Sequence, residues 1–150
     1  MTQQEQRLQV IQACRAHQQH IADVAKAEME SAQQQSNDYG ANVDRYDSYR
    51  TKMLRARDMY AQQLSNANAG LRALDELLTQ SPTAEASHGS IVVTNRGRFF
   101  LSIGLGKFMA GTDTYYAISA QTPVYMALRG HRVGDKVVVG GAEQTITDIF

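Results

Sequence analysis

The most regular pattern of apolar positions in this chain lies between residues 46 and 78. Apolar and aromatic side chains recur there in steps of three and four. They are Tyr46, Tyr49, Met53, Ala56, Tyr60, Leu64, Ala67, Leu71, Leu74 and Leu78. A repeat of about 3.5 residues is typical of a helix that packs along its whole length against a partner. The pattern therefore predicts one long amphipathic helix.

A thinner apolar stripe precedes it and supplies the partner. Its members are Leu8, Ile11, Cys14, Ile21, Ala25 and Ala32, with interruptions at Gln18 and Glu28. The segment SNDYGANVD, residues 36–44, separates the two stripes and consists of residues that favour turns. Because an isolated helix of this kind is marginal in water, we expect an antiparallel coiled-coil hairpin over residues 3–79. About thirty residues per helix would make it roughly 45 Å long.

The composition changes near residue 80. Pro82 lies in a polar segment, residues 80–87, which we interpret as a linker between a helical domain (1–79) and a β domain (88–150). Turn residues at 95–97, 111–113 and 140–141 divide the β domain. The predicted strands are Ser90–Asn95, Arg98–Ile103, Thr114–Ser119, Lys136–Val139 and Gln144–Ile149, with a short helix at Pro123–Leu128. The fold class is α+β.

Charge and cysteine content exclude several classes of protein. Fifteen basic and fifteen acidic residues give no net charge, which argues against sequence-blind nucleic-acid binding as the main activity. No apolar run approaches the roughly 20 residues that span a bilayer, and the first residues lack the apolar core of a signal peptide. Cys14 is the only cysteine, so we expect no internal disulfide, and a cytoplasmic location.

The segment after residue 118 has its own local chemistry. Thr122 can cap a short helix, and Pro123 has the φ angle that a first helical turn requires. Leu128 would pack beneath that helix, and Gly130 can end it in a left-handed conformation. Gly134 and the following Asp135 predict a turn.

The same residues carry a family resemblance. The pattern is Ile-Ser at a strand end, Thr-Pro, Ala-Leu-x-Gly, Gly-Asp before a valine-rich strand, and a final ITDI. It resembles the carboxy-terminal domain of the Gre family of bacterial transcript-cleavage and elongation factors. The positions are Ile118, Ser119, Thr122, Pro123, Ala127, Leu128, Gly130, Gly134, Asp135 and Ile146–Ile149. The family's order of parts, a coiled coil before an FKBP-like β domain, also matches.

The resemblance implies a function. In Gre factors the coiled coil enters the secondary channel of RNA polymerase, and the β domain holds the rim of that channel. By analogy, polymerase would contact Ser119, Gln121, Thr122 and Pro123, although a packing role for Pro123 is equally open. Two acidic residues at the family's tip help to hold a catalytic Mg²⁺, which prefers charged oxygen ligands. The polymerase performs the catalysis, so the chain itself would be no enzyme and would need no cofactor.

The tip of this chain departs from the family pattern. The family has an acid, a second acid three residues later, a tyrosine four after that and an arginine four further on. Tyr46 and Arg50 reproduce the last spacing, which places Tyr39 and Asn42 at the two acidic positions. Inserting one residue moves Asp38 onto the first acid but leaves the second position without one. We therefore expect modulation of elongation without full stimulation of transcript cleavage.

Three carboxylates nevertheless surround the predicted tip, Asp38, Asp44 and Asp47. One interpretation is that they cap the second helix and complement its dipole. The other is that they approach the metal or the basic wall of the polymerase channel in a rearranged geometry.

Other candidate chemistry is weak. His17 and His20 could form a metal pair, but they lack further ligands at matching spacing, so we expect solvated side chains and no metal site. Residues 104–107 lack the full spacing of a phosphate loop and suggest a turn between strands. No ordered catalytic motif supports an independent enzyme. The alternative function is a structural or adaptor protein that self-associates through the stronger apolar stripe of the second helix.

Overall fold

The computed structural model describes residues 1–38 and 47–150. Two long helices are followed by a β-rich region with one short helix, so the predicted α+β class is confirmed. The helices are α1 (Gln3–Asp38), α2 (Asp47–Leu77) and α3 (Pro123–Leu128). The strands are β1 (Ile91–Thr94), β2 (Arg98–Leu101), β3 (Gly106–Ala110), β4 (Asp113–Ile118), β5 (Lys136–Val139) and β6 (Ala142–Ile149).

Helix α1 starts in a capping box and ends later than predicted. Thr2 Oγ1 accepts a hydrogen bond from the backbone N–H of Glu5 (3.1 Å), and the Glu5 carboxylate accepts one from the N–H of Thr2 (2.8 Å). At the other end, residues 36–38 are helical, whereas the sequence predicted a turn from residue 36. The amide of Gln34 donates to the Asp38 carboxylate (2.8 Å), an i,i+4 contact that favours helix there. The remainder of the predicted turn lies outside the described residues.

The chain divides into two compact units, residues 18–71 and residues 1–17 with 72–150. In the first unit α1 and α2 run antiparallel. Gln18 Nε2 donates to the carbonyl of Ala67 (3.2 Å), and Arg57 Nη1 donates to Gln33 Oε1 (2.6 Å), so rising numbers on α1 meet falling numbers on α2. The apolar contacts are made by buried Ala22, Ala67 and Leu71, with partly buried Leu64 packed against them.

The buried side of α1 differs from the predicted stripe. Gln18, expected as an interruption, is buried, while Leu8 and Ile21 are 44% and 40% exposed. The polar side chain is tolerated in this position because its amide is hydrogen-bonded to the facing helix. In the second stripe Leu77 is buried in place of Leu78, which lies beyond the end of α2.

Residues 88–150, all of which the structure describes, form a six-stranded sheet in the order β3-β4-β2-β1-β6-β5. Strands β2 and β4 are parallel, and the other pairs are antiparallel. The bounds of β5 and α3 are as predicted. Strand β3 was missed because residues 104–107 suggested a turn, although Phe108 and Ala110 alternate with exposed Lys107 and Met109 as in a strand.

Successive residues of the central strands pack into different cores. Ile91 and Phe100 belong to the core shared with the first turns of α1 and the end of α2. Its buried members are Val10, Ile11, Cys14, Leu74, Leu77, Ile91, Phe100, Phe108, Ala110, Tyr115, Ala117 and Phe150. Val92 and Leu101, one residue further along each strand, belong to the core under α3. That core consists of Ala86, Val92, Leu101, Tyr125, Leu128, Val137, Val139, Ile146 and Ile149.

The segment predicted as a linker is tied to the sheet region at its carboxyl end. Ala86 is buried, its N–H donates to the carbonyl of His131, and its carbonyl accepts from the N–H of Gly130, both at 2.8 Å. Glu85 and Arg132 form an isolated β-bridge beside it. The domain limits 1–79, 80–87 and 88–150 remain a prediction based on composition. The two compact units are defined instead by how the residues pack.

No helix within residues 1–38 or 47–150 combines the length and apolar character needed to cross a bilayer.

Candidate functional site

The start of α3 is built as the sequence predicted. Thr122 is the N-cap: its Oγ1 accepts a hydrogen bond from the N–H of Tyr125 (3.3 Å) and donates to the carbonyl of Ser119 (2.8 Å). Pro123 occupies the first turn, where no backbone N–H is required. The backbone N–H of Thr122 also donates to the carbonyl of Ser119 (3.1 Å). The turn from β4 into α3 is thus fixed by three hydrogen bonds around Thr122.

The six residues of α3 present three faces at i,i+3 spacing. Tyr125 and Leu128 are buried at 4% and 0% exposure and anchor the helix on the sheet. Pro123 and Met126 are exposed, and Met126 shows 62% of its surface. We call Gln121, Pro123 and Met126, all exposed, the α3 surface.

Met126 is a member of this surface that sequence reasoning missed. Its spacing from Pro123 carried the signal, because the i,i+3 partner of a solvent-facing first-turn residue shares its face. Of the other residues predicted for docking, Ser119 and Thr122 are half-buried and make the turn hydrogen bonds described above.

The end of α3 leads into a second ordered turn. The N–H of Arg129 donates to the carbonyl of Tyr125 (2.9 Å), and Gly130 follows with φ of +86°, the left-handed conformation predicted for it. Further on, the Asp135 carboxylate accepts from the N–H of Arg132 (2.9 Å) and contacts His131 Nδ1 (3.3 Å). The backbone hydrogen bond from Arg132, with a smaller contribution from His131, lowers the pKa of Asp135.

The predicted tip is described only in part. Tyr39, Asn42, Asp44 and Tyr46 lie outside the described residues. Asp38 is the last residue of α1. A carboxylate there lies at the negative end of the dipole of α1. Whether the tip carboxylates cap the second helix or approach the polymerase stays a prediction.

The amino-terminal end of α2 carries cations. Asp47 is its first residue, and the exposed side chains of Arg50, Lys52 and Arg55 follow within the first turns. Arg57 is engaged with Asp58 Oδ1 (2.8 Å) as well as with Gln33. The described start of α2 therefore offers positive charge.

The paired histidines and the cysteine do not form a site among the described residues. His17 and His20 are both exposed on α1. Across residues 1–38 and 47–150, no three His, Cys, Asp or Glu side chains are grouped so that they could hold a metal ion. Burial raises the pKa of the Cys14 thiol to about 12, so at neutral pH it is a packed apolar group rather than a nucleophile.

Comparison with solved structures found similar chains. No protein-family model matches the chain, and no curated protein matches it. The chain is similar to the crystal structure of GreA factor homolog 1 of Thermus thermophilus, at 18% sequence identity and a TM-score of 0.35. The match covers 98% of this chain and 94% of that one.

Proposed function

We propose that this chain is a Gre-like transcription factor that binds bacterial RNA polymerase. In this proposal the α3 surface docks on the polymerase, and the hairpin of α1 and α2 enters the secondary channel to modulate elongation. The chain supplies no catalytic residue of its own and requires no cofactor.

The observation that carries the proposal is the ordered set of residues from Ile118 to Asp135. Within it Thr122 is the helix cap, Pro123 lies in the first turn and Gly130 follows the helix end. Packing accounts for Tyr125 and Leu128, whereas Pro123 and Met126 are exposed and share one side of the helix. An exposed apolar pair on a rigid, capped helix is suited to contact with another protein.

The sequence of the predicted tip favours modulation of elongation without full stimulation of transcript cleavage. Metal binding in the polymerase site requires two carboxylates, and the family spacing supplies no such pair in either alignment. Arg50, Lys52 and Arg55 add positive charge at the start of α2, which opposes the binding of a divalent cation nearby. The same charge is compatible with the phosphate groups of a transcription complex.

Docking is tested with a matched pair of variants. Met126→Glu places a charge on the α3 surface, whereas Met109→Glu places the same charge on β3 at an equivalent exposure, 62% against 61%. In a pull-down with bacterial core polymerase, we expect Met126→Glu to weaken retention about tenfold or more and Met109→Glu to bind as the parent does. Absence of binding by the parent chain, where a Gre factor binds, would defeat the proposal.

The second half of the proposal is tested on stalled elongation complexes. The parent chain is expected to change pausing or elongation rate without accelerating transcript cleavage. Asp38→Ala and Asp44→Ala should leave the cleavage rate at its background level. Cleavage that the parent stimulates and either substitution abolishes would show that the tip does hold the polymerase metal.

Self-association is the alternative function. Within residues 18–71, Ile21 and Val24 on α1 and Met59 on α2 are 40%, 47% and 50% exposed, so some apolar surface is available to another copy. Sedimentation at micromolar concentration discriminates between the two functions, because a strictly monomeric chain excludes the adaptor hypothesis.

A further inference from the structure

Strand β3 is an edge of the six-stranded sheet, with β4 on one side and no strand on the other. It pairs with β4 through five consecutive positions, Gly106–Ala110, without a bulge. Within residues 1–38 and 47–150, the backbone hydrogen bonds beyond the strand ladders do not involve β3. The outward N–H and C=O groups of a regular edge strand are a template to which another extended segment can add.

The two sides of β3 have different surroundings. Phe108 and Ala110 are buried in the core shared with α1. On the opposite side Lys107 is exposed, and Met109 shows 61% of its surface. At the start of the strand, a Cβ on Gly106 would meet no atom within 4 Å, so the space there is open. A strand added to this edge would place alternate side chains beside Lys107 and Met109, at the spacing of cross-strand pairs.

Lys107 is a cation without an acidic partner among the described residues. On β4, Tyr116 lies opposite Lys107, and Thr114 lies opposite Met109. The ion pairs formed within residues 1–38 and 47–150 do not include Lys107. A lysine on an edge strand disfavours the addition of a segment that brings a like charge to the facing position, and it favours one that brings a carboxylate.

Strand β5, at the other edge of the sheet, lacks this combination. Its Lys136 is already paired with Glu143 of β6, with 3.8 Å between Nζ and Oε1. The strand has four residues, and its Val137 and Val139 pack in the core under α3. Of the two edges, β3 therefore offers both the longer ladder and the unpaired cation.

We propose that β3 binds an extended acidic segment of a partner protein, added antiparallel to the edge, with a carboxylate opposite Lys107 and an apolar side chain opposite Met109. Main-chain hydrogen bonds would supply the affinity, and the two side-chain pairs would set the register. A second copy of this chain fits less well. Antiparallel pairing of two β3 strands about Phe108 would place each Lys107 opposite a Met109 and leave both cations without a carboxylate. The inference does not depend on the proposed function.

The binding test uses the full ¹⁵N-labelled chain and a blocked peptide, Thr-Ile-Thr-Glu-Thr, whose Ile and Glu face Met109 and Lys107 when it is added antiparallel. The peptide is expected to give saturable amide shifts centred on β3 and to slow hydrogen exchange at the outward amides of that strand. The matched peptide Thr-Ile-Thr-Lys-Thr is expected to bind about fivefold more weakly or worse, because it brings a like charge to Lys107. No saturable shift with the acidic peptide, or equal binding of the two peptides, would overturn the proposal.

Charge reversal shows which edge binds. Lys107→Glu should reverse the preference, so that the lysine peptide binds more tightly than the acidic one. Lys136→Glu makes the same change on β5 and should leave the preference of the parent chain unaltered. Both lysines are exposed, so folding does not depend on either. Loss of the preference in Lys136→Glu, or its retention in Lys107→Glu, would contradict the site. A parent chain that sediments as a dimer and leaves the acidic peptide unbound would show that a second copy occupies the edge instead.

Discussion

At the scale of single residues, Thr122 shows how one hydroxyl shapes the α3 surface. The side chain is both donor and acceptor, which links the carbonyl of Ser119 to the N–H of Tyr125. Without it, the first turn of a six-residue helix would lose its only side-chain cap among the described contacts. The orientation of Pro123 and Met126 depends on that turn.

Thr122→Ala should therefore destabilise the chain by about 1 kcal/mol, the usual cost of losing a helix N-cap. Thr122→Ser keeps the hydroxyl and should lose much less. Urea denaturation of the three chains measures the difference. Equal stability of the alanine and serine variants would mean that the hydroxyl contributes nothing.

Asp135 predicts a dependence of stability on pH. Its pKa is lower in the folded chain than its ordinary value of 3.8, chiefly because of the hydrogen bond from Arg132. A lowered carboxyl pKa contributes stability above the ordinary value, and that contribution disappears as the pH falls towards the folded value. Asp135→Asn cannot titrate, so its free energy of unfolding should fall less between pH 7 and pH 3. An unchanged fall would show that Asp135 does not contribute.

Single residues were predictable where their role is local. Thr122, Pro123 and Gly130 follow from cap and turn chemistry within a few positions of the chain. Gln18 was not predictable in this way, because its burial depends on a carbonyl of Ala67 that lies 49 positions away. The lack of a hydrogen-bond partner for Arg7 Nε within residues 1–38 and 47–150 was likewise not predictable, because it depends on how Leu77, Gln80 and Gly89 surround the side chain.

At the scale of elements, the contact between α1 and α2 includes a close approach at Gly70. Gly70 lies opposite Gln18, and a Cβ at this position would approach Gln18 Nε2 at 2.6 Å. The amide that fills this space also donates to Ala67. The register of the two helices within residues 18–71 is thus fixed by a close approach as well as by apolar burial.

A double-mutant cycle tests this contact. Gly70→Ala alone gains about 1 kcal/mol of helix propensity but displaces the Gln18 amide and its hydrogen bond, worth about the same, so the net change should be small. In a Gln18→Ala background the clash is absent, and Gly70→Ala should stabilise by about 1 kcal/mol. Thermal or urea denaturation of the four chains gives the coupling. Equal effects of Gly70→Ala in both backgrounds would contradict the contact.

Helices and strands were predictable from the spacing of apolar residues rather than from the residues at their boundaries. The helical repeat predicted α2, and Thr-Pro with the following apolar residues predicted α3 to its last residue. Strand β3 was not predicted, because Gly104 and Gly106 suggested a turn. Buried and exposed residues nevertheless alternate from Lys107 to Ala110. Ser36 was placed in a turn for its composition, yet it is buried within α1.

At the scale of the whole molecule, composition and packing divide the chain differently. The change from Gln- and Ala-rich to Gly- and Val-rich sequence marks residues 80–87, whereas packing joins residues 1–17 with residues 72–150 in one compact unit. Sequence alone could not anticipate this, because Val10, Ile11 and Cys14 find their partners in strands more than 75 positions away. The first turns of α1 therefore contribute to the core of the β region.

The central claim, that this chain acts in the secondary channel of RNA polymerase, is tested most directly by competition. A fluorescently labelled chain is bound to core polymerase and titrated with an unlabelled Gre factor from the same polymerase system. The proposed function predicts full displacement, because the two hairpins would then compete for the same channel. Simultaneous binding of the two proteins, or failure of the labelled chain to bind core polymerase at all, would contradict it.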